Sequence, residues 1–313
     1  MKQFILFITI CLPTISVAQP ALETAKSMRD MAYLYTTKTI LLSDSIAVAY
    51  ADEGAGPQTL LFIHGLGSYL PAWQKNIDAL KPYYRCIAID LPGYGKSDQG
   101  DYAYNMSFFA NIIQQLIQAL QLQNVVLVGH SMGGQIALTT ALQDASAISK
   151  IVLLAPAGFE TFTAPEQQML RNLYTPELLL ALPVAQIRKN FEINFVQFPE
   201  DAEFMYQDRL FMRETTEYAR YCAMIPRCVA GMLNEPVFER LSEIQLPVLV
   251  LYGEADALIP NRFLHPGLST RAVAEAGAER LPDARIEMIP DAGHFVQWEG
   301  AAQVNAAIRD FVR

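Results

Sequence analysis

From about Thr39 onward, short apolar, β-branched runs alternate with stretches of helical periodicity along the chain. That alternation is the signature of a mostly parallel sheet whose strands are joined by crossover helices. The runs at 45–52, 60–63, 86–90, 125–129, 150–154, 248–252 and 286–289 read as strands. Most of the later ones are continuously apolar, as strands covered on both faces must be. Between them, Phe108, Ile112, Leu116 and Leu120 recur every four residues, which predicts a helix over 107–120 with that face buried and Ser107 as its cap. A second helix is predicted from Met132 to about Gln143.

The pattern changes between Phe159 and Arg240. This stretch lacks strand-like runs and has helical spacing, several prolines and a concentration of large side chains that includes Phe191, Phe195, Phe198, Phe204, Phe211 and Met212. Strand character resumes only at Val248, so 159–240 reads as a helical insertion between two strands of one sheet. Such a segment must pack back on the sheet and can cover whatever site lies there.

Composition narrows the classes. With 52% hydrophobic and 18% charged residues, the 313-residue chain can fill a sizeable core, which excludes a disordered or fibrous protein. Its 23 Lys and Arg against 32 Asp and Glu give a net charge of −9 without long like-charge runs, so no nucleic-acid partner is expected. The four cysteines at 11, 86, 222 and 228 are too few for a disulfide scaffold and lack zinc-ligand spacing. No metal is expected. At the start, Lys2 precedes an apolar run from Phe4 to Val17 that closes on the small residues Ser16-Val17-Ala18. This predicts a signal peptide over 1–18, cleaved after Ala18, and a periplasmic or secreted protein. The run is shorter than the roughly 20 residues of a spanning helix, and no stable membrane span is expected after cleavage.

The sharpest chemical signal is Gly129-His130-Ser131-Met132-Gly133-Gly134, where an apolar strand runs directly into a helix. Gly-x-Ser-x-Gly in that setting is a nucleophile elbow, whose small residues admit a tight turn that lifts the Ser131 hydroxyl clear of the sheet. A neutral serine needs a base, and the base needs an acid to orient it. Of the four histidines, His294 follows the last predicted strand and is the candidate base. His130 is expected to diverge from Ser131 at the turn, His64 to serve a structural hydrogen bond, and His265 to be a surface bystander. Asp256, four residues past a buried strand, is the candidate acid, with Glu254 and Asp291 as competitors. An oxyanion hole would combine the N–H of Met132 with one from His64-Gly65-Leu66-Gly67, for which Leu66 is the candidate.

The order Ser131, Asp256, His294, with the upstream His-Gly-Leu-Gly and the helical insertion, resembles the α/β-hydrolase family from about Ile40 to the C-terminus. Asp90-Leu-Pro-Gly-Tyr-Gly-Lys-Ser97-Asp98 and Gly253-x-x-Asp256 add to the likeness. The resemblance implies an α/β-hydrolase core over 19–158 and 241–313, a cap over 159–240, and a Ser-His-Asp triad that needs no cofactor. Haloalkane dehalogenases and epoxide hydrolases of this fold use Asp as nucleophile, which Ser131 excludes. The expected activity is hydrolysis of a small to medium, largely apolar carboxylic ester, as in carboxylesterases and lipases. A carbon–carbon bond hydrolase of a dioxo acid is the alternative, because Gly293-His294-x-x-Gln297-Trp298-Glu299 is similar to the segment around the base of those enzymes. Against it, position 130 is His where they usually carry Asn, and Phe295 stands where they carry Trp. In that reading Arg209 or Arg213 would bind the substrate carboxylate. A non-catalytic ligand-binding protein of this fold is a third reading.

Cys222 and Cys228 flank Pro226, and they could form a disulfide only if the proline breaks the helix between them. Cys86 is expected to be an inert core residue.

Overall fold

A computed structural model describes residues 25–42 and 45–313; the expected signal peptide lies outside them. The eight strands are β1 (Lys38–Leu41), β2 (Ala47–Glu53), β3 (Thr59–Ile63), β4 (Arg85–Ile89), β5 (Val125–His130), β6 (Ile148–Leu154), β7 (Val248–Gly253) and β8 (Ala284–Ile289). They form one sheet in the order β1-β2-β4-β3-β5-β6-β7-β8. β1 and β2 pair antiparallel, β2 pairs antiparallel with β4, and every other neighbour is parallel. The parallel strands β3, β5 and β7 are buried along their whole length, which explains their unbroken apolar sequences.

Helices cover both faces. α1 (Gln74–Leu80), α10 (Val296–Glu299) and α11 (Ala301–Val312) meet on one side, over a core that includes Phe62, Trp73, Val126 and Ile308. α2 (Met106–Ala119), α3 (Met132–Gln143) and α9 (Thr270–Ala278) lie over a second core containing Leu61, Ile63, Leu127 and Val250. α3 is central: all nine residues from Met132 to Thr140 are buried, so it has no polar face.

α2 departs from its predicted orientation. Its cap is Asn105, whose side chain accepts the Phe108 N–H at 2.8 Å, rather than Ser107. The buried face is Met106, Phe109, Ile112, Ile113, Leu116 and Ile117, while Phe108 and Leu120 are only half-buried. A strict four-residue spacing drifts by about 40° per step on an α-helix, so it cannot follow one face for four turns.

Between β6 and β7 the chain builds α4 (Ala164–Leu173), α5 (Pro176–Leu180), α6 (Val184–Glu192), α7 (Glu203–Met212) and α8 (Tyr218–Asn234). α8 is the inner member, burying Tyr221, Met224, Ile225 and Cys228 against the core, and its Gly231 lies so close to Asn105 that a Cβ would approach its Cα to 2.7 Å. α4 and α5 bury no residue completely and α6 buries only Ile187. The described part of the chain has no helix long and apolar enough to cross a membrane.

Cys222 and Cys228 form no disulfide. Pro226 sits inside a continuous α8, so Cys222 and Cys228 point about 120° apart and both remain free thiols. The Cys228 sulfur instead lies 3.4 Å from the Tyr94 hydroxyl and 3.2 Å from the Met224 sulfur.

Candidate functional site

The parallel strands β3, β5, β7 and β8 deliver their following loops to one edge of the sheet, where open α/β sheets place their sites. Ser131 follows β5 with φ +53° and ψ −119°, a backbone conformation that L-residues rarely hold and that the surrounding packing must impose. Its amide donates to Leu154 at 2.9 Å and its carbonyl accepts from Gly134 and Ala157. The flanking glycines are required by contact. A Cβ on Gly129 would fall 2.3 Å from the Gly133 oxygen, and one on Gly133 would fall 2.1 Å from the Ile63 oxygen.

Asp256, fully buried after β7, places Oδ2 2.8 Å from Nδ1 of His294. Its Oδ1 accepts the N–H groups of Leu258 at 2.8 Å and Ile259 at 3.0 Å, so both oxygens are fixed. Engaging Nδ1 leaves Nε2 as the ring nitrogen of His294 without a partner among the described residues. The competitors lie elsewhere: Glu254 pairs with Arg271 at the surface and Asp291 is exposed. Ser131, His294 and Leu66 all line one cavity of about 790 Å³. Leu66 and Met132 carry backbone N–H groups without a protein acceptor among the described residues. Those two amides and the Met132 end of α3, where the helix dipole is positive, can stabilise developing negative charge.

The cavity extends from Ser131 into the cap. Its walls are mainly apolar, with Leu170, Leu179, Ile187, Tyr221, Ile225 and Val229 among them. Arg209 also reaches it, whereas Arg213 does not line it. Arg209 donates to the carbonyl of Gly67 and lies over the rings of Tyr221 and Phe191, at 4.9 and 5.5 Å from their centroids.

The three other histidines behave differently from one another. His64 is structural: Nδ1 donates to the Gly65 carbonyl at 2.9 Å, Nε2 accepts from the Leu91 N–H at 3.1 Å, and burial lowers its pKa to about 4. His130 stays at the site: its ring packs 4.9 Å from that of His294, and it lines the same cavity. His265 is no bystander. It stacks on Phe162, with Nδ1 2.5 Å from Glu160 and Nε2 3.4 Å from Glu166, joining the start of the cap to the loop after Asp256. Burial raises the Glu160 carboxyl above its ordinary value, and that carboxylate also accepts the Asn261 N–H.

Contacts that the sequence did not disclose tie the cap to the loop of His294. Glu299 accepts N–H groups from Val196 at 2.9 Å and Gly293 at 2.7 Å, Trp298 donates to Asp201 at 2.8 Å, and Phe295 N–H donates to Asn194 at 2.9 Å. The Gln297-Trp298-Glu299 segment thus has a concrete structural role at Trp298 and Glu299, where a carboxylate and an indole grip the chain between α6 and α7.

A sequence profile of the alpha/beta hydrolase fold matches residues 58–301. The chain is 28% identical over 268 residues to the dihydrolipoyllysine-residue acetyltransferase component of the acetoin cleaving system of Cupriavidus necator, covering 85% of this chain and 66% of that protein. It is 29% identical over 281 residues to a 2-hydroxy-6-oxononadienedioate/2-hydroxy-6-oxononatrienedioate hydrolase of Paraburkholderia phymatum, covering 85% of this chain and 91% of that one. Among solved structures, a probable hydrolytic enzyme from Pseudomonas aeruginosa PAO1 superposes with a TM-score of 0.81 at 23% identity, covering 91% of this chain and 97% of the other.

Proposed function

The chain belongs to the α/β-hydrolase fold family, and from that premise we propose that it is a serine hydrolase cleaving a small to medium, largely apolar carboxylic ester. The observation that carries this reading is that Ser131 and the Asp256-bonded His294 open onto the same large, mainly apolar cavity. In the reaction, His294 Nε2 takes the proton of Ser131 as its oxygen attacks the ester carbonyl. The N–H groups of Leu66 and Met132 stabilise the oxyanion, and Asp256 stabilises the imidazolium that forms. Collapse expels the alcohol, protonated by His294, and leaves an acyl group on Ser131. Water, deprotonated by His294, then releases the acid. Residues 1–18 direct the chain to export, with the partner in the reaction a small molecule.

A second reading has a specific observation behind it. Arg209 brings a guanidinium to the wall of a mainly apolar cavity, and the relative from Paraburkholderia phymatum is a 2-hydroxy-6-oxononadienedioate/2-hydroxy-6-oxononatrienedioate hydrolase. In that reading the scissile bond is carbon–carbon and Arg209 receives a carboxylate. A series of p-nitrophenyl esters of increasing acyl length, assayed beside a vinylogous dioxo acid, separates the two. The ester reading predicts turnover that peaks at short to medium chains and exceeds that of the dioxo acid. Selective turnover of the dioxo acid, with esters left nearly untouched, would replace it with the second.

A further inference from the structure

Two consecutive cap residues hold the loop that carries Leu66. Arg209 donates from Nη2 to the Gly67 carbonyl, and Asp208 accepts the Tyr69 hydroxyl at 2.5 Å. Both side chains leave the same short helix, α7, and land two residues apart on the segment that follows Leu66. Within the loop itself, Gly67 adopts φ +69° and a turn bond from Ser68 N–H to the Gly65 carbonyl at 3.1 Å closes the bend. The next anchor is Leu70, whose N–H donates to Asp90 at 2.8 Å. Between those two fixed points, the Gly67 carbonyl and the Tyr69 hydroxyl are bonded by side chains of the cap, while the Gly67 N–H faces the Tyr94 hydroxyl of the core.

The chemistry of the grip is specific. The guanidinium of Arg209 is spent on a neutral carbonyl and held by the faces of Phe191 and Tyr221, an arrangement that orients its planar fork. Asp208 is half-buried and meets a phenol that is itself buried. A pair whose only purpose was to glue the cap down would serve equally well on any surface of the core. This one meets the core at the loop that bears one of the two oxyanion donors.

Resting on the acyl-transfer reading above, we propose that Asp208 and Arg209 are positioning residues that set the oxyanion loop from the cap, so that the Leu66 N–H is aligned with that of Met132 only while α7 is docked. Cap docking and assembly of the oxyanion hole are then one event. Arg209 acts through Gly67 and need not touch the substrate, which separates this role from that of a carboxylate receptor.

The test is steady-state kinetics on a neutral p-nitrophenyl butyrate, with Arg209→Met, Arg209→Lys, Asp208→Asn and Tyr69→Phe compared with the parent and with Ser131→Ala. Arg209→Met is expected to lower kcat by about 10- to 100-fold with KM changed less than about twofold, and Arg209→Lys to recover most of the loss. Asp208→Asn and Tyr69→Phe should lower kcat by about three- to tenfold, and Arg209→Met combined with Tyr69→Phe should cost less than the product of the two, since both loosen one loop. Affinity for a trifluoromethyl ketone, which forms an oxyanion on the serine, should fall in step with kcat/KM. An unchanged kcat in Arg209→Met, or a raised KM at constant kcat, overturns the proposal. Should Arg209→Met fail to fold, Asp208→Asn and Tyr69→Phe decide by the same criterion. Turnover surviving in Ser131→Ala would instead defeat the underlying reaction, so the two failures are distinct.

Discussion

His130 Nε2 lies 2.9 Å from the main-chain oxygen of His294, so the residue immediately before the candidate nucleophile supports the loop of the candidate base. Burial, and next the proximity of His294, push the His130 pKa well below its ordinary value. The ring is therefore neutral, and donation to a carbonyl places its single proton on Nε2. Trp73 and Phe295 pack edge-on against the ring, which fixes its plane. Removing this strut should let the base drift relative to Ser131. His130→Phe is expected to lower kcat by about 10- to 100-fold, because small misplacements of a proton acceptor are costly. His130→Gln, whose amide N–H can reach a similar point, should recover most of the activity. Steady-state kinetics on one ester checks both.

Two buried groups, Asp90 and His64, act on the pH dependence of stability in opposite senses over a common window. Asp90 is fully buried, and that burial raises its carboxyl to about 6 despite N–H donors from Leu70 and Lys96 and the Tyr33 hydroxyl. Between about 4, where it titrates in the unfolded chain, and 6, the folded state holds a proton that the unfolded state has lost. Its contribution therefore falls as pH rises through that range. His64, lowered to about 4 by burial, does the reverse, because the unfolded chain is protonated up to about 6.5 while the folded state is not. Asp90→Asn removes the first slope and leaves the second. Its unfolding free energy should climb more steeply with pH across this window than that of the parent, by up to about 3 kcal/mol over the interval. Urea denaturation at a series of pH values measures it.

The sulfur chemistry gives a third expectation. Cys86 and Cys228 are buried and their thiols pushed up to about 12 by burial, and Cys222 is raised for the same reason. Such thiols are poor nucleophiles at neutral pH. A thiol reagent should leave all three unmodified in the native protein and modify all three after denaturation. Reducing agent should not change the melting temperature, and a mass increase on reduction of two hydrogens would contradict the free thiols of α8.

The elbow was legible because its signals coincide. An unbroken apolar strand, two sterically obligatory glycines and a helix buried from Met132 to Thr140 leave little freedom, and α3 runs from Met132 to Gln143 as its sequence predicts. His294 and Asp256 were legible as a pair because only four histidines exist and one follows the last strand. β1 escaped notice because it is an edge strand with three exposed positions, so no burial selects apolar residues there. The cap concealed more. Arg209 stands out in sequence as a charge among aromatics, but its bond to Gly67 depends on how α7 lies across the sheet. The same is true of Asp208 with Tyr69 and of Glu299 with Val196, contacts between residues 139 and 103 positions apart. Local patterns carry no information about such pairs.

Covalent labelling reads out whether Ser131 is the nucleophile and whether His294 activates it. A fluorophosphonate probe followed by peptide mass mapping should place one adduct on Ser131 of the parent protein and abolish its ester turnover. The adduct should be absent from Ser131→Ala and its formation strongly slowed in His294→Ala. An adduct on another residue, or labelling and turnover retained in both variants, would exclude Ser131 as the nucleophile activated by His294.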